Sequence, residues 1–187
     1  MQKYISYILI IIGILLLITK INNNLENKID TSLKMNINQN DENIFLKEAT
    51  LIEYILYLKI PKINLNKGIT SKDSKFNDVD RNIQILKESD MPNIENGNLI
   101  LAAHSGNSNV SYFKDLNKLE LNDNIYVEYN NKKYHYKIVN YYKVEKTGLI
   151  DIVRNKFKPT LTLITCIENT NKQLVIICEL NKITDLQ

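Results

Sequence analysis

The hydrophobic positions of the chain follow two different arrangements, which change near residue 50. Before that point, residues 4–18 form one apolar run without a charged side chain, and residues 22–43 are polar and rich in Asn. Beyond it, short apolar runs alternate with clusters of Asn, Asp, Gly and Lys. Short runs bounded by such turn-forming residues are typical of β-strands. The pattern therefore predicts an apolar N-terminal helix, a polar connection and an all-β domain.

The all-β domain is expected to contain many short strands. We predict strands at residues 57–60, 99–104, 124–129, 133–144, 160–166 and 174–180. Asn130 and Asn131 suit a tight hairpin turn, because Asn tolerates a positive φ angle. Two stretches with helical spacing of apolar residues, 79–88 and 111–119, interrupt the strands. Because strands and helices do not alternate regularly, the pattern favours a closed barrel or a sandwich.

The apolar run at residues 4–18 has a length between two kinds of targeting segment. A signal-peptide core has about 7–15 residues, and a membrane-spanning helix has about 17–25. No cleavage site with small residues follows the run, so we expect an uncleaved membrane anchor. The predicted organisation is an anchor at 1–21, a polar stalk at 22–50 and the β-domain at 51–187.

The charges that flank the predicted anchor favour one membrane orientation. Lys3 and the terminal amine lie on one side, and Lys20, Lys28 and Lys34 lie on the other. Counting cations places the β-domain in the cytoplasm, because cytoplasmic flanks carry an excess of Lys and Arg. The chemistry of the domain, described below, favours the outer face instead. We expect a single-pass protein of the cell membrane with its β-domain outside.

Composition and charge narrow the functional classes further. The chain is 44% hydrophobic and 24% charged, with a net charge of +3. These values exclude collagen, a disulfide scaffold and full disorder. No basic stripe of the kind that binds phosphate backbones is present, so we expect no nucleic-acid partner.

Cys166 ends a predicted strand in a position that suits nucleophilic chemistry. Strand alternation places Leu161 and Leu163 on one face, and Thr162, Ile164 and Cys166 on the other. Since the two leucines are expected to face the core, Cys166 is expected to face outward at the strand end. A thiol is useful as a nucleophile only where it is accessible.

The other cysteine, Cys178, shares its strand face with apolar residues and is expected to be buried. A hairpin between the two cysteine strands places Cys178 opposite Leu161, and Cys166 opposite Gln173 or Lys172. The sulfurs then lie roughly 16 Å apart along the strands. Bridged Cα atoms must lie within about 7 Å, so both thiols are expected to be free.

His104 closes the predicted strand at 99–104 and precedes a polar loop, which suits an acid or base. His135 lies inside an alternating strand and is expected to be a half-exposed bystander. No cysteine pair or His–carboxylate cluster has the spacing of metal ligands, so we expect no metal and no cofactor. Calcium is possible but unsupported, because the acidic residues near the predicted helices match no ligand loop. Those residues are Asp78, Asp80, Glu88 and Asp90.

Three segments of the chain resemble the sortase family of cysteine transpeptidases from Gram-positive cell surfaces. Residues 162–166, Thr-Leu-Ile-Thr-Cys, match the family signature around its nucleophile. Ala103 and His104, followed by residues 112–119, look like the segment that carries its catalytic histidine. Residues 60–63, Ile-Pro-Lys-Ile, are similar to its first-strand motif. The resemblance covers residues 58–180.

The resemblance implies an eight-stranded β-barrel with the site at one end. It implies that Cys166 attacks a carbonyl in a surface protein's sorting motif of the LPXTG type. His104 would protonate the leaving amine and later deprotonate the incoming one. The acyl-thioester would then pass to an amine of a cell-wall precursor or of a pilin.

One family position is not matched. The family has an Arg on the final strand beside the cysteine, where this chain has no Arg. Counting along the strand puts Gln173 at that position, a one-residue bulge would put Lys172 there, and Arg154 is a third candidate. Gln173 is our first choice as the substrate-positioning residue. The missing arginine leaves open the alternative of a weak or inactive barrel that binds sorting-type peptides. A further alternative is a cysteine hydrolase that uses water as the acyl acceptor.

Overall fold

Eight β-strands form one sheet in residues 52–186, the part of the chain that the computed structural model describes. The strands are β1 Leu56–Ile60, β2 Leu65–Ile69, β3 Gln84–Ile85, β4 Asn98–Ala102, β5 Asn124–Tyr129, β6 Lys132–Glu145, β7 Thr160–Cys166 and β8 Lys172–Asp185. Two short 3-10 helices, η1 Pro61–Ile63 and η2 Leu116–Lys118, lie between strands. The predicted anchor and stalk lie outside the described residues. Within residues 52–186, no helix has the length and apolar character needed to cross a membrane.

The sheet has the strand order β2-β1-β5-β6-β8-β7-β4-β3 and curls into a nearly closed barrel. Neighbouring strands are antiparallel except for β4 and β7, which are parallel. The edge strands β2 and β3 do not pair with each other through strand hydrogen bonds in the described residues. Instead, the Asn82 side-chain amide donates to the Gly68 carbonyl of β2 at 3.1 Å. The all-β, eight-stranded prediction is confirmed, with a barrel that is nearly rather than fully closed.

The main core fills the barrel, and a second apolar cluster covers the other face of β4, β7 and β8. Leu161 and Leu163 are buried in the main core, as predicted. Thr162 and Ile164 were expected to face outward, but they are 0% and 3% exposed. The loop at 146–159 explains the difference, because its Ile150 and Ile152 pack on that face. Central strands that are buried on both faces show no clean alternation of apolar and polar residues.

The two predicted helices are wrong. Residues 79–88 contain a turn and the short strand β3. The Asn77 side chain bonds both the N–H and the carbonyl of Ile85, at 2.7 and 3.0 Å, and so replaces helical partners with a strand-like pairing. In residues 111–119 the Phe113 N–H donates to the His104 carbonyl at 3.0 Å, which leaves only the 3-10 turn of η2.

The predicted hairpin turn between β5 and β6 is confirmed. Asn130 and Asn131 have φ angles of 49° and 57°, so both residues occupy the left-handed region that this turn requires. The turn sets the register of the β5–β6 ladder, in which Tyr129 pairs with Lys132. Strand β2 was not predicted, since its polar and apolar residues follow no strand period.

Candidate active site

Cys166 lies at the last position of β7 and is half-buried. It lines a cleft of about 350 Å³ at the end of the barrel, together with polar groups from the loops that follow β4 and β7. These groups include the hydroxyl residue Ser105 and the oppositely charged Lys114 and Glu168. The thiol is therefore partly accessible to solvent from the cleft.

Hydrogen bonds between β4 and β7 determine the position of His104. Because these strands are parallel, with Ala102 beside Ile164, their carboxyl ends lie at the same end of the sheet. One step further, the Ala103 N–H donates to the Ile164 carbonyl at 3.3 Å. The buried Thr165 hydroxyl returns a bond to the Ala103 carbonyl at 2.8 Å. Ala103 and Thr165, the residues that precede His104 and Cys166, are thus hydrogen-bonded to each other. This bond holds His104, just after the end of β4, near the end of β7.

The β7–β8 register decides which residue lies across from the thiol. Cys178 pairs with Leu161, as predicted, and Cys166 pairs with Gln173, one of the two partners that the predicted hairpin allows. Residues directly opposite in an antiparallel ladder share a face, with Cβ atoms about 4.5–5.5 Å apart. Gln173 is therefore the polar residue of β8 that lies directly opposite Cys166 in the ladder.

The other two candidates for the missing arginine lie elsewhere. Lys172 begins β8, one residue before Gln173, so alternation directs its side chain to the opposite face. Its ammonium lies 3.5 Å from the Glu145 carboxylate of β6. The Arg154 guanidinium donates to the Asn96 carbonyl at 3.1 Å, before the start of β4 and thus at the other end of that strand from His104.

His104 and Cys166 open into separate cavities in this structure. His104 lines a shallow depression of about 270 Å³ with Gly106, and Ser105 lines the cleft of Cys166. Within the described residues, no hydrogen bond joins the imidazole to the thiol. The His104 Nε2 lies instead 2.8 Å from the Asp80 Oδ1. Catalytic contacts are often long without substrate, so the arrangement is compatible with a pair that acts through bound substrate.

Comparison with known proteins identifies the family. Residues 58–181 match the family model described as the sortase domain. The chain belongs to the sortase family. Membership places it in the general class of sortase-type transpeptidases, and no curated protein sequence matches the chain as a relative.

Solved sortases share the fold of this sortase. Sortase C1 from Streptococcus agalactiae is 26% identical, with 69% of this chain and 68% of that chain covered and a TM-score of 0.61. Listeria monocytogenes sortase A is 22% identical, with 72% and 91% covered and a TM-score of 0.59. Clostridium perfringens sortase C, solved with the C-terminal cell wall sorting motif, is 24% identical, with 70% and 71% covered and a TM-score of 0.60.

The remaining cysteine and histidine of this sortase lie away from the cleft. Cys178 is fully buried in the barrel core, and burial raises the pKa of its thiol well above the ordinary value. His135 Nε2 lies 3.0 Å from the Thr184 hydroxyl. Burial, followed by repulsion from Lys182 and Lys133, lowers the pKa of His135. We therefore assign neither residue to the candidate active site, in agreement with the prediction from their positions within strands.

No group of three or more His, Cys, Asp or Glu side chains in residues 52–186 is arranged to hold a metal ion. Asp80, considered in the sequence only as an acidic residue near a predicted helix, is the site residue that sequence reasoning missed. It is separated from His104 by 24 positions, and no motif connects the two residues. Only the folded loop between β2 and β3 brings them together.

Proposed function

We propose that this sortase is a membrane-anchored transpeptidase that cleaves an LPXTG-type sorting motif and transfers the acyl part to an amine. The observation that carries the proposal is the bonded junction of β4 and β7, which presents His104 and Cys166 at the same end of the barrel. Acyl transfer needs a nucleophile and an acid–base group, and these two residues lie at the same end of two neighbouring strands.

The proposed reaction exchanges one amide for another in two steps. The Cys166 sulfur attacks the carbonyl carbon of the sorting motif, and the carbon–nitrogen bond breaks as His104 gives its proton to the leaving amine. The resulting thioester is attacked by the acceptor amine, which loses a proton to His104 as the carbon–sulfur bond breaks. The thiolate and the imidazolium are restored, so no oxidant or reductant is needed.

Gln173 is proposed to position the substrate. Its side chain stands beside Cys166 in the ladder, and its amide can donate to a peptide carbonyl. It brings no positive charge, unlike the arginine of the family pattern. The bond it offers is therefore weaker than a charge-assisted one.

The proposed substrates and location follow from the family and from residues 1–21. Clostridium perfringens sortase C was solved with a C-terminal cell wall sorting motif, and a Streptococcus pneumoniae sortase C structure concerns pilin substrate specificity. We propose that this chain uses a surface-protein sorting peptide as donor and an amine of a cell-wall precursor or pilin as acceptor. The apolar run at 4–18 would hold the barrel at the outer membrane face, where lipid-linked acceptors occur.

The decisive experiment is a peptide-transfer assay with the full chain. A panel of LPXTG-type peptides and amines is incubated with the protein, and the products are identified by mass spectrometry. We expect the amine-linked peptide as the product, and none of it with Cys166→Ala or His104→Ala. Unchanged melting curves for both variants would show that folding is not the cause. Transfer by Cys166→Ala at the wild-type rate would contradict the proposal.

A second candidate function is peptide binding without efficient turnover. It is favoured by the neutral Gln173 opposite the thiol and by the absence of a direct thiol–imidazole bond in the described residues. The two functions differ in thiol chemistry. If iodoacetamide modifies native Cys166 no faster than a cysteine in an unfolded peptide, and sorting peptides bind without being cleaved, binding is the better description. Product consisting only of hydrolysed peptide would instead indicate a cysteine hydrolase.

A further inference from the structure

A carboxylate outside the cysteine–histidine pair is bonded to the imidazole of His104. The Asp80 Oδ1 lies 2.8 Å from Nε2, which is the length of a charge-assisted hydrogen bond. The other ring nitrogen, Nδ1, has no hydrogen-bond partner among residues 52–186. Because a carboxylate only accepts, the proton of this bond sits on Nε2.

The turn that carries Asp80 is held in place by the barrel, although the carboxylate itself is 80% exposed. The Asp78 carboxylate accepts the Asp80 N–H at 2.9 Å, and the Asp78 carbonyl accepts the Asn82 N–H at 2.8 Å. Asn82 is buried and bonds the Gly68 carbonyl of β2. The next residue, Ile83, is fully buried in the main core. Asn82 and Ile83, two and three residues after Asp80, are thus fixed to β2 and to the main core, and they hold the backbone of Asp80 in place.

We propose that Asp80 is a positioning residue for His104, which fixes Nε2–H and leaves Nδ1 as the nitrogen that exchanges protons with substrate. The inference rests on the proposed transpeptidase function. In the neutral ring, Nε2–H donates to Asp80, and the lone pair on Nδ1 takes the proton of the incoming amine. In the imidazolium, Nδ1–H is the acid, and the bond between Nε2–H and Asp80 is unchanged.

This arrangement matters because the reaction uses His104 twice. The ring gives a proton to the leaving amine and then takes one from the incoming amine. With Nε2 held by Asp80 in both protonation states, both transfers use the same atom, and the ring need not turn between them. A histidine without this partner would populate both neutral tautomers, of which only one has its lone pair on Nδ1.

The tautomer of His104 is measured by ¹⁵N NMR on the uniformly labelled full chain. The sequence has only two histidines, so His135→Gln assigns the signals of His104. At a pH where the ring is neutral, we expect one tautomer with the proton on Nε2, and a mixture of both tautomers in Asp80→Ala. Asp73→Ala is the matched control, because it removes an exposed acid from the same β2–β3 segment. The same tautomer ratio in wild type and Asp80→Ala would overturn the proposal.

The kinetic test uses the same variants in the peptide-transfer assay. We expect Asp80→Ala to lower kcat about fivefold with KM unchanged, as for the loss of one solvent-exposed ion pair. Asp80→Glu should recover part of that loss, and Asp73→Ala should behave as wild type. An unchanged kcat in Asp80→Ala, or an equal loss in Asp73→Ala, would contradict the role. If the wild-type chain transfers no peptide, the proposed function fails, while the tautomer spectra still decide whether Asp80 holds the ring.

Discussion

Gln173 is the residue at which this chain departs most clearly from the sortase pattern. It is half-buried and lies directly across the ladder from Cys166, which lines the cleft. An amide supports a developing negative charge with a neutral hydrogen bond. A guanidinium would support it with a charge-assisted bond, which is roughly twice as strong. We therefore expect the neutral side chain of Gln173 to limit the rate of the proposed transfer reaction.

Replacing Gln173 by Arg tests that expectation. Because Arg restores the charge beside the thiol, we predict that Gln173→Arg raises kcat/KM for a sorting peptide about fivefold. The measurement is the initial rate of transfer at low peptide concentration. Lys172→Arg is the matched control, since that residue sits one position away, next to Glu145, and should leave the rate unchanged. A collapse in the rate of Gln173→Arg would mean that Gln173 does not occupy the arginine position.

The residues of the site differ in how far sequence could predict them. Cys166 and His104 were predicted from two local signals, a reactive side chain at or just after the end of an apolar run, and motifs similar to those of the sortase family around both residues. Hairpin register predicted either Gln173 or Lys172 opposite Cys166, since a strand ladder pairs residues at fixed spacing, but the exact turn that decides between them could not be read from sequence. Asp80 could not be predicted, because a contact between two loops depends on tertiary structure rather than on spacing in one element.

At the scale of elements, the β4–β7 pair is the part of the barrel that assembles the site. The parallel ladder ends at Ala102 and Ile164, and the bond from the Thr165 hydroxyl to the Ala103 carbonyl continues the connection to the residue before His104. Thr165 is only 5% exposed, so this bond is shielded from water. It contributes both to stability and to the placement of His104 relative to Cys166.

Removing that hydroxyl should weaken the connection between the two strand ends. We predict that Thr165→Val, which keeps the shape of the side chain, lowers the free energy of unfolding by about 1–2 kcal/mol. The transfer rate should fall as well, because Ala103 then keeps only the bond from its N–H to the Ile164 carbonyl as a link to the cysteine strand. Denaturant unfolding and the peptide assay measure the two effects. Thr184→Val, an exposed position of β8, is the control. Equal stability in both variants would show that the Thr165 bond is not needed.

The first predicted helix, at residues 79–88, is wrong because Asn side chains bond the backbone in and around that stretch. Asn77 bonds the backbone of Ile85, and Asn82 bonds that of Gly68, so a stretch with helical spacing becomes a turn and a strand. Asn side chains compete with helical hydrogen bonds in this way, and apolar spacing does not reveal it. The β5–β6 hairpin was predictable for the opposite reason, because Asn130 and Asn131 satisfy a purely local requirement.

At the scale of the whole molecule, the proposed membrane anchor allows two orientations, which place the barrel on opposite sides of the membrane. The Lys residues around residues 4–18 favour the cytoplasm, whereas the proposed substrates are outside the cell. The two cysteines offer a direct probe of the orientation. Cys166 is half-buried at the barrel end, and Cys178 is fully buried with a raised thiol pKa, so only Cys166 is expected to react in the folded chain.

We predict that a membrane-impermeant maleimide labels Cys166 in intact cells of a Gram-positive host that expresses the full chain. Labelling requires an exposed thiol on the outer face, which the proposed orientation supplies and the lysine count does not. Mass spectrometry of the purified protein identifies the modified cysteine. Cys166→Ala should take up no label in intact cells, which confirms that Cys178 is protected. A permeant maleimide should label wild type in every case. Labelling by the impermeant reagent only after lysis would place the barrel in the cytoplasm, where transfer to a cell-wall precursor or surface pilin has no outer-face acceptor.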